Sequence, residues 1–262
     1  MKSNSEKYKW HILILGGSIA VMFCLCLYQR CFSPTLGRDS VNYVSLIQLW
    51  HDTGSFSGVL EARPDFWFPP LSLFLAKILT DCGIGAESAA VGLNIFFGCM
   101  LPLIMFGIAR VVTESTKIAL ASAALVAVNP VMIELSVEAQ RDVPYLFFCG
   151  LLIFFFCCAV RHGRWYYWIG AGVAFAFSFL IRYETLELLP VIGIYLLALL
   201  IFRKGERLKP ILHGGIFLIC LVAVLCGLLW VSGTGEYVLE QYRKYYYEKC
   251  AVLNSILGGG NE

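Results

Sequence analysis

The chain has 262 residues, of which 59% are apolar and 15% charged, and its mean hydropathy is +0.74. Soluble domains carry about 45–50% apolar and about 25% charged residues, so this composition excludes an ordinary soluble domain and indicates an integral membrane protein. The formal net charge is only +2 and the basic residues are scattered, which excludes a nucleic-acid groove and predicts no nucleic-acid partner.

Seven apolar stretches are predicted to span a membrane as helices. They run at about 11–28, 88–109, 118–133, 144–160, 166–181, 188–202 and 211–231. A hydrocarbon core about 30 Å thick needs about 20 residues per helix, and the shorter stretches are within reach if flanking residues snorkel. The first stretch follows three lysines and precedes no small-residue cleavage site, so we expect an uncleaved anchor. The glycine pairs Gly16-Gly17 and Gly214-Gly215 are predicted to be helix-packing contacts.

Loop charges predict the orientation of this all-α bundle. With seven spans, the N-terminus and the loops near 110–117, 161–165 and 203–210 share one side, with 11 Lys/Arg and three acids. The other side carries nine basic and 15 acidic residues. Because cytoplasmic loops are enriched in Lys and Arg, we expect a cytoplasmic N-terminus and an outer C-terminus in a plasma or inner membrane.

The loop between the first two spans, residues 29–87, is predicted to carry two helices on the outer membrane surface. Residues 39–50 mix apolar and polar side chains at helical spacing, which is typical of an amphipathic interfacial helix. Residues 69–79 begin with Pro69 and Pro70 and are too few to span. We therefore expect a second interfacial helix with a proline in its first turn.

Polar residues that could do chemistry concentrate at the outer ends of spans, in three loops that a helix bundle brings together. They are Arg38, Asp39 and Tyr43 in the first loop, Glu134, Glu138, Arg141 and Asp142 in the second, and Arg182, Glu184 and Glu187 in the third. Ionisable groups near membrane depth are costly unless they are paired or line a wet cavity, so they are functional candidates. The alternative is that these charges simply meet water.

Asp39 opens the amphipathic segment of the first loop. One interpretation is that it only caps the helix, accepting hydrogen bonds from free backbone N–H groups. The functional alternative is a carboxylate that Arg38 keeps ionised and Tyr43, one turn away, orients. Such a carboxylate could act as a general base on an acceptor hydroxyl that attacks an activated sugar.

The acids of the second loop lie four residues apart. On a helix turn Glu138 and Asp142 would share a face, with Arg141 close enough to hold one of them. Such a pair could bind sugar hydroxyls or a divalent cation. Two carboxylates alone make a weak metal site, so we assign no metal ligands.

The third loop carries an arginine at the end of a span. Arg182 could clamp a phosphate through bidentate hydrogen bonds, with Tyr183 and Glu184 beside it. The alternative is an arginine that snorkels to the interface next to an aromatic residue.

Three local sequences give the chain a family resemblance. They are Arg38-Asp39-Ser40-Val41-Asn42-Tyr43, Phe66-Trp67-Phe68-Pro69-Pro70-Leu71 and Arg182-Tyr183-Glu184. Together with the order of the spans they resemble the GT-C membrane glycosyltransferases, in the branch of the dolichyl-phosphate-mannose protein mannosyltransferases, the aminoarabinose lipid A transferase and the lipopolysaccharide glycosyltransferases. The resemblance implies that Asp39 is the catalytic base and that Arg182 and Glu184 lie near the donor phosphate. Glu138 and Asp142 fall where the family has its second-loop acids.

Two positions depart from the pattern of the family. Its frequent Glu after the catalytic Asp is Ser40 here, which leaves Asp39 without the usual paired acid. Its basic residue before Pro-Pro is Phe68, which removes one phosphate contact that Arg63 or Lys77 could replace.

The predicted function is an inverting transfer of a sugar from a polyprenyl-phosphate carrier to a lipid, polysaccharide or protein acceptor at the outer face. Asp39 would be the base, and Arg38, Tyr43, Arg63, Glu138, Arg141, Asp142, Arg182 and Glu184 would bind substrate. A divalent cation is the one candidate cofactor. The lipid phosphate is a good leaving group once arginine holds its charge, so positioning and electrostatics carry the chemistry.

Two alternatives to this function remain. Residues 1–231 correspond to the seven-span module of the family, whose members usually continue with further spans, and residues 232–262 are predicted to be a short, partly disordered outer tail. The chain could therefore be a truncated, inactive module that binds the lipid carrier. The other alternative is a non-enzymatic transport or binding protein, against which the seven stretches, free of Lys, Arg, Asp and Glu, argue.

Overall fold

A computed structural model describes residues 2–32, 36–64, 66, 68–202, 208–244 and 247, with side chains from residue 9 onward. No strand occurs in these residues. The helices are α1 (Lys2–Phe32), α2 (Arg38–Thr53), α3 (Phe56–Ala62), α4 (Leu71–Asp81), α5 (Ala86–Thr113), α6 (Thr116–Ala127), α7 (Pro130–Val137), α8 (Asp142–His162), α9 (Tyr166–Phe179), α10 (Leu189–Phe202) and α11 (Leu208–Ser232). The 3-10 helix Tyr183–Leu188 precedes α10, and residues 235–244 form a further helix, α12.

Five helical segments of the described chain are long and apolar enough to cross a membrane. They are Lys9–Phe32 of α1, α5, α8, the continuous stretch Tyr183–Phe202, and α11. The predicted class, an all-α polytopic membrane protein, is confirmed. The cytoplasmic placement of the N-terminus stays a prediction.

The predicted span at 118–133 is broken. It consists of α6 and α7, which are bent by 53° relative to each other. Asn129 accepts hydrogen bonds from the N–H groups of Val131 and Met132, and Pro130 occupies the first turn of α7. An Asn cap followed by proline starts a new helix, and helical backbone angles are disfavoured for the residue that precedes a proline. Asn129 and Pro130 together therefore explain the break.

The predicted span at 166–181 is a helix of 14 residues, α9. At 1.5 Å per residue it is about 21 Å long, shorter than a hydrocarbon core of about 30 Å. It packs between α8 and α11, and most of its small side chains are buried. Because α9 ends at Phe179, Arg182 lies just beyond the packed core of the bundle.

Three helices lie in the described part of the first loop. Two were predicted, at 39–50 and 69–79, and correspond to α2 and α4; α3 was not predicted. His51 Nδ1 at the end of α2 lies 2.7 Å from Asp81 Oδ1 at the end of α4, and Lys77 Nζ lies 2.6 Å from Asp81 Oδ2. Pro70 is the N-cap of α4 and precedes its first turn.

The start of α4 is attached to two distant parts of the chain. The N–H of Leu71 donates to the carbonyl of Leu180, at the end of α9, over 3.1 Å. The hydroxyl of Tyr237 in α12 donates to the carbonyls of Phe66 and Phe68 at 3.1 and 3.2 Å. Burial raises the pKa of Tyr237, so the phenol stays protonated and can donate. The tail predicted at 232–262 thus begins as part of the core; residues 248–262 lie outside the described residues.

One close helix approach uses a glycine that the sequence analysis did not select. A Cβ on Gly172 of α9 would lie 2.7 Å from the backbone oxygen of Phe217 in α11. The predicted packing glycines differ: Gly16, Gly17 and Gly215 have no atom of another segment near a Cβ position, and only Gly214 meets a neighbour, Leu196. The small residue at the α9–α11 crossing is Gly172.

Replacing Gly172 by alanine is expected to destabilise the bundle. The methyl group meets backbone, which cannot rotate away, so α9 and α11 must separate, at a typical overpacking cost of about 1–3 kcal/mol. The measurement is thermal unfolding in detergent. Gly215→Ala is the matched control, since its methyl meets open space and alanine favours helix. Equal melting temperatures for the two variants would contradict this packing.

Candidate functional site

The carboxylate of Glu138 binds the amino-terminal turn of α2. It accepts a hydrogen bond from the N–H of Gly37 over 3.1 Å and another from the hydroxyl of Ser40. The first N–H groups of a helix have no partner within the helix, and its dipole favours a negative charge at that end. Glu138 therefore caps α2 from the second loop, and Ser40, where the resembling family often has Glu, is completely buried.

Asn94 fixes the second loop to α5. It is buried, and its amide nitrogen donates to the carbonyl of Glu138 and, over 2.8 Å, to the carbonyl of Gln140. Asn94 was not predicted as a site residue, because it lies inside an apolar stretch. A polar amide in such a stretch needs hydrogen-bond partners, and that requirement was the available signal.

Glu138 and Asp142 do not share a helix turn, which corrects the sequence-based expectation. Glu138 ends α7 with extended backbone angles, φ −89° and ψ 148°. Its side chain goes to α2, whereas Asp142 begins α8 and forms an ion pair with Nη1 of Arg182. The ion pair that holds Asp142 thus comes from the third loop.

Arg182 is held by two carboxylates. Besides Asp142, Oε1 of Glu184 lies 3.1 Å from its Nη2, and its guanidinium carbon lies 5.3 Å from the centre of the Tyr145 ring. Burial acts to lower the pKa of Arg182, but the hydrogen bond to Glu184 and the charges of both acids outweigh it and raise the pKa. The Nε–H has no hydrogen-bond partner within the described chain. The arginine is therefore a fixed cation with N–H donors to spare.

Arg141 lies over an aromatic ring. Its guanidinium carbon is 4.6 Å from the centre of the Phe68 ring, a cation–π distance. Phe68 also contacts Tyr43, with ring centres 5.4 Å apart. The family that the sequence resembles has a basic residue before Pro-Pro. At this position the present chain has the ring of Phe68, and the cation of Arg141 lies over that ring.

These side chains surround one cavity of about 390 Å³. It is lined by Asp39, Asn42, Tyr43, Phe68, Gln140, Arg141, Asp142 and Arg182. The volume lies within the range of about 300–1,000 Å³ that is usual for small-molecule sites. Burial raises the pKa of Tyr43 to about 12, so its phenol is protonated at neutral pH. All three loops that carry the predicted site residues contribute to the walls.

A family model for dolichyl-phosphate-mannose-protein mannosyltransferase matches residues 68–230. The chain belongs to this mannosyltransferase family. A search of curated proteins found no match. Membership in the family supports a glycosyltransferase-type activity in a multi-pass membrane protein.

The region that matches the mannosyltransferase family covers most of the cavity but not all of it. Phe68, Arg141, Asp142 and Arg182 lie inside residues 68–230, whereas α2, with Asp39 and Tyr43, precedes them. Contacts of α2 with α4, α5 and the second loop bring the two parts together.

Asp39 is the second residue of α2, and Gly37 is the N-cap, so the capping interpretation of Asp39 is wrong. The carboxylate is exposed and forms no hydrogen bond or ion pair with any residue that the structure describes. Arg38 does not pair with it, because adjacent helix residues face different directions.

Four of the predicted substrate-binding residues do not line the cavity. Glu184 lies one contact away, on Arg182, whereas Glu138 binds Ser40, which does not line the cavity either. Arg38 is exposed at the start of α2. Arg63, the predicted second phosphate ligand, is exposed at the end of α3. Across the described residues, no group of three or more His, Cys, Asp and Glu side chains could hold a metal ion.

Replacing Asn94 by aspartate is expected to loosen the second loop. A carboxylate in place of the amide faces two carbonyl oxygens, and an unsatisfied buried polar group typically destabilises by about 1–3 kcal/mol. Thermal unfolding measures the effect. Asn129→Asp is the control, since Asn129 only accepts in the hydrogen bonds of its helix cap and aspartate keeps the acceptor. A larger loss at Asn129 would contradict the assigned role of Asn94.

Proposed function

We propose that the protein transfers a sugar from a polyprenyl-phosphate carrier to an acceptor hydroxyl at the outer face of the membrane. The observation that supports this most directly is the composition of the 390 Å³ cavity, where the unpaired carboxylate of Asp39 and the fixed cation of Arg182 line the same space. The donor needs a cation for its phosphate, and the acceptor needs a base.

The reaction is a single displacement. Asp39 takes the proton of the acceptor hydroxyl while the oxygen of that hydroxyl attacks the anomeric carbon of the sugar. The bond from that carbon to the phosphate oxygen breaks, and the carrier phosphate leaves with the electron pair. The free N–H groups of Arg182 stabilise the charge on the leaving phosphate. One displacement on the face opposite the leaving group inverts the anomeric configuration.

The two acids on Arg182 have a positioning role. Asp142 holds Nη1 and Glu184 holds Nη2, so the guanidinium is oriented before the donor binds. A cation that is already oriented stabilises developing charge without reorganisation during the reaction. Arg141, over Phe68, supplies a second positive charge to the cavity.

Asp39→Asn is expected to lower the rate of transfer by about 10²–10⁴-fold, the usual contribution of a general base. The assay follows labelled sugar from a mixed pool of polyprenyl-phosphate sugars to membrane acceptors, in native-like membranes. Binding of the donor persists, since Arg182 is intact. Asp52→Asn is the matched control on the same helix, because Asp52 accepts from Gln48 and lies outside the cavity.

The outcomes separate the enzyme from a binding module. Loss of transfer in the Asp39 variant alone supports the proposed base. Wild-type protein that binds the carrier lipid but transfers no sugar from any donor would instead identify a module that only binds the carrier.

Arg182→Lys is expected to weaken donor binding about tenfold, because one ammonium cannot hold two carboxylates and a phosphate as a planar guanidinium does. The measurement is the KM for the donor, or its Kd in the Asp39→Asn background. Arg63→Lys tests the rival phosphate ligand by the same change and should leave both constants unaltered. Donor binding that depends on Arg63 and not on Arg182 would contradict the assignment.

A further inference from the structure

A second cavity lies at the opposite end of the helix bundle from the candidate site. Its volume is about 220 Å³, and the end of α8, the start of α9, the end of α10 and the start of α11 form its walls. The side chains relevant here are His162, Trp168, Tyr195, Lys209 and His213. The proposed transfer reaction uses none of them.

The ionisable walls of this cavity favour an anion. His162 comes from α8, and Lys209 and His213 come from α11. None of the described residues that line the cavity is acidic. Lysine and histidine provide N–H donors, and a lysine near a low-dielectric wall attracts negative charge more strongly than in water.

The buried indole N–H of Trp168 requires a hydrogen-bond acceptor. Trp168 is only 1% exposed, and its ring stacks on His213 with ring centres 5.7 Å apart and an interplanar angle of 23°. Its Nε1–H has no hydrogen-bond partner in the part of the chain that the structure describes. The indole N–H can only donate, and buried donors are normally satisfied, so this wall calls for a hydrogen-bond acceptor.

The position of the cavity relative to the membrane indicates where the acceptor comes from. Trp165 and Tyr166, at the start of α9, are 54% and 49% exposed. Exposed Trp and Tyr at the ends of spans mark the level of the lipid head groups. Trp168 lies within one helix turn of both, so the cavity opens near the level of lipid phosphates.

We propose that this cavity binds a phosphate-type anion on the head group of a membrane lipid. Lys209 neutralises the phosphate, and Trp168, with the two histidines, donates hydrogen bonds to its oxygens. The site is separate from the cavity that contains Asp39 and Arg182, so the proposal stands whether or not sugar transfer is confirmed.

The test measures binding of three probes to the full chain in neutral detergent by native mass spectrometry. The probes are dioctanoyl phosphatidic acid, dioctanoylglycerol and inorganic phosphate. We expect phosphatidic acid to bind wild type and its Kd to rise about tenfold in Lys209→Gln, the usual effect of losing one charge-assisted hydrogen bond. Trp168→Phe keeps the aromatic stack, removes the N–H, and should also weaken binding.

Lys117→Gln is the matched control, because Lys117 is an exposed lysine on α6 that does not line the cavity. Its Kd should equal that of wild type. Unchanged affinity in both Lys209→Gln and Trp168→Phe, or equal binding of dioctanoylglycerol, would overturn the proposal. Inorganic phosphate that binds as tightly as phosphatidic acid, with the same loss in Lys209→Gln, would overturn the assignment to a lipid head group and assign the site to free phosphate.

Discussion

The carboxylate of Glu138 connects two segments that lie 98 residues apart in the chain, the second loop and the first turn of α2. A half-buried carboxylate is stable only where hydrogen bonds and positive potential compensate its lost hydration, and the free N–H groups of a helix start provide both. With Asn94 holding the same loop to α5, this contact sets the position of α2. The cavity that contains Asp39 exists because α2 and the second loop are held side by side.

The cap also changes the meaning of a departure from the family pattern. Ser40 replaces the family's frequent Glu, but its hydroxyl binds Glu138, so an acid from the second loop is held at the residue that follows Asp39. Phe68 shows a similar replacement, since its ring carries the guanidinium of Arg141. In both cases a contact distant in sequence supplies a charge that the local motif lacks.

A second set of contacts supports Phe68. Tyr237, beyond the end of the family match at residue 230, donates to the carbonyls on either side of residue 67, and Leu71 is bonded to the end of α9. Both attachments lie next to Pro69 and Pro70, which cannot donate backbone hydrogen bonds. Phe68, which forms this wall of the cavity, is therefore held in place by hydrogen bonds to distant parts of the chain.

Much of the fold follows from patterns that are local in sequence. Apolar length predicts the five long spans, and the amphipathic period predicts α2. The break before Pro130 could also have been predicted, because Asn followed by Pro is a helix-start signal, but the hydropathy averaged along the stretch hides it. The short length of α9 could not have been predicted, since its apolar run continues through Leu180 and Ile181 into the turn.

The members of the candidate site were predictable in part, and their pairings were not. The position of charged residues at the ends of spans selected Asp39, Arg141, Asp142 and Arg182, which line the cavity, but it also selected Arg38, Glu138 and Glu184, which do not. The helical spacing of Glu138 and Asp142 suggested a pair that does not form, because the backbone is extended at Glu138. Which acid meets Arg182, and which caps α2, depends on contacts between loops that no local pattern contains.

The most direct test of the account is an experimental structure of the protein in lipid nanodiscs with a non-hydrolysable polyprenyl phosphonate analogue of the donor. The account predicts that the phosphonate oxygens accept hydrogen bonds from Arg182 and that the anomeric carbon faces Asp39 across open space for an acceptor hydroxyl. A phosphonate bound away from Arg182, with Asp39 remote from the sugar, would contradict it.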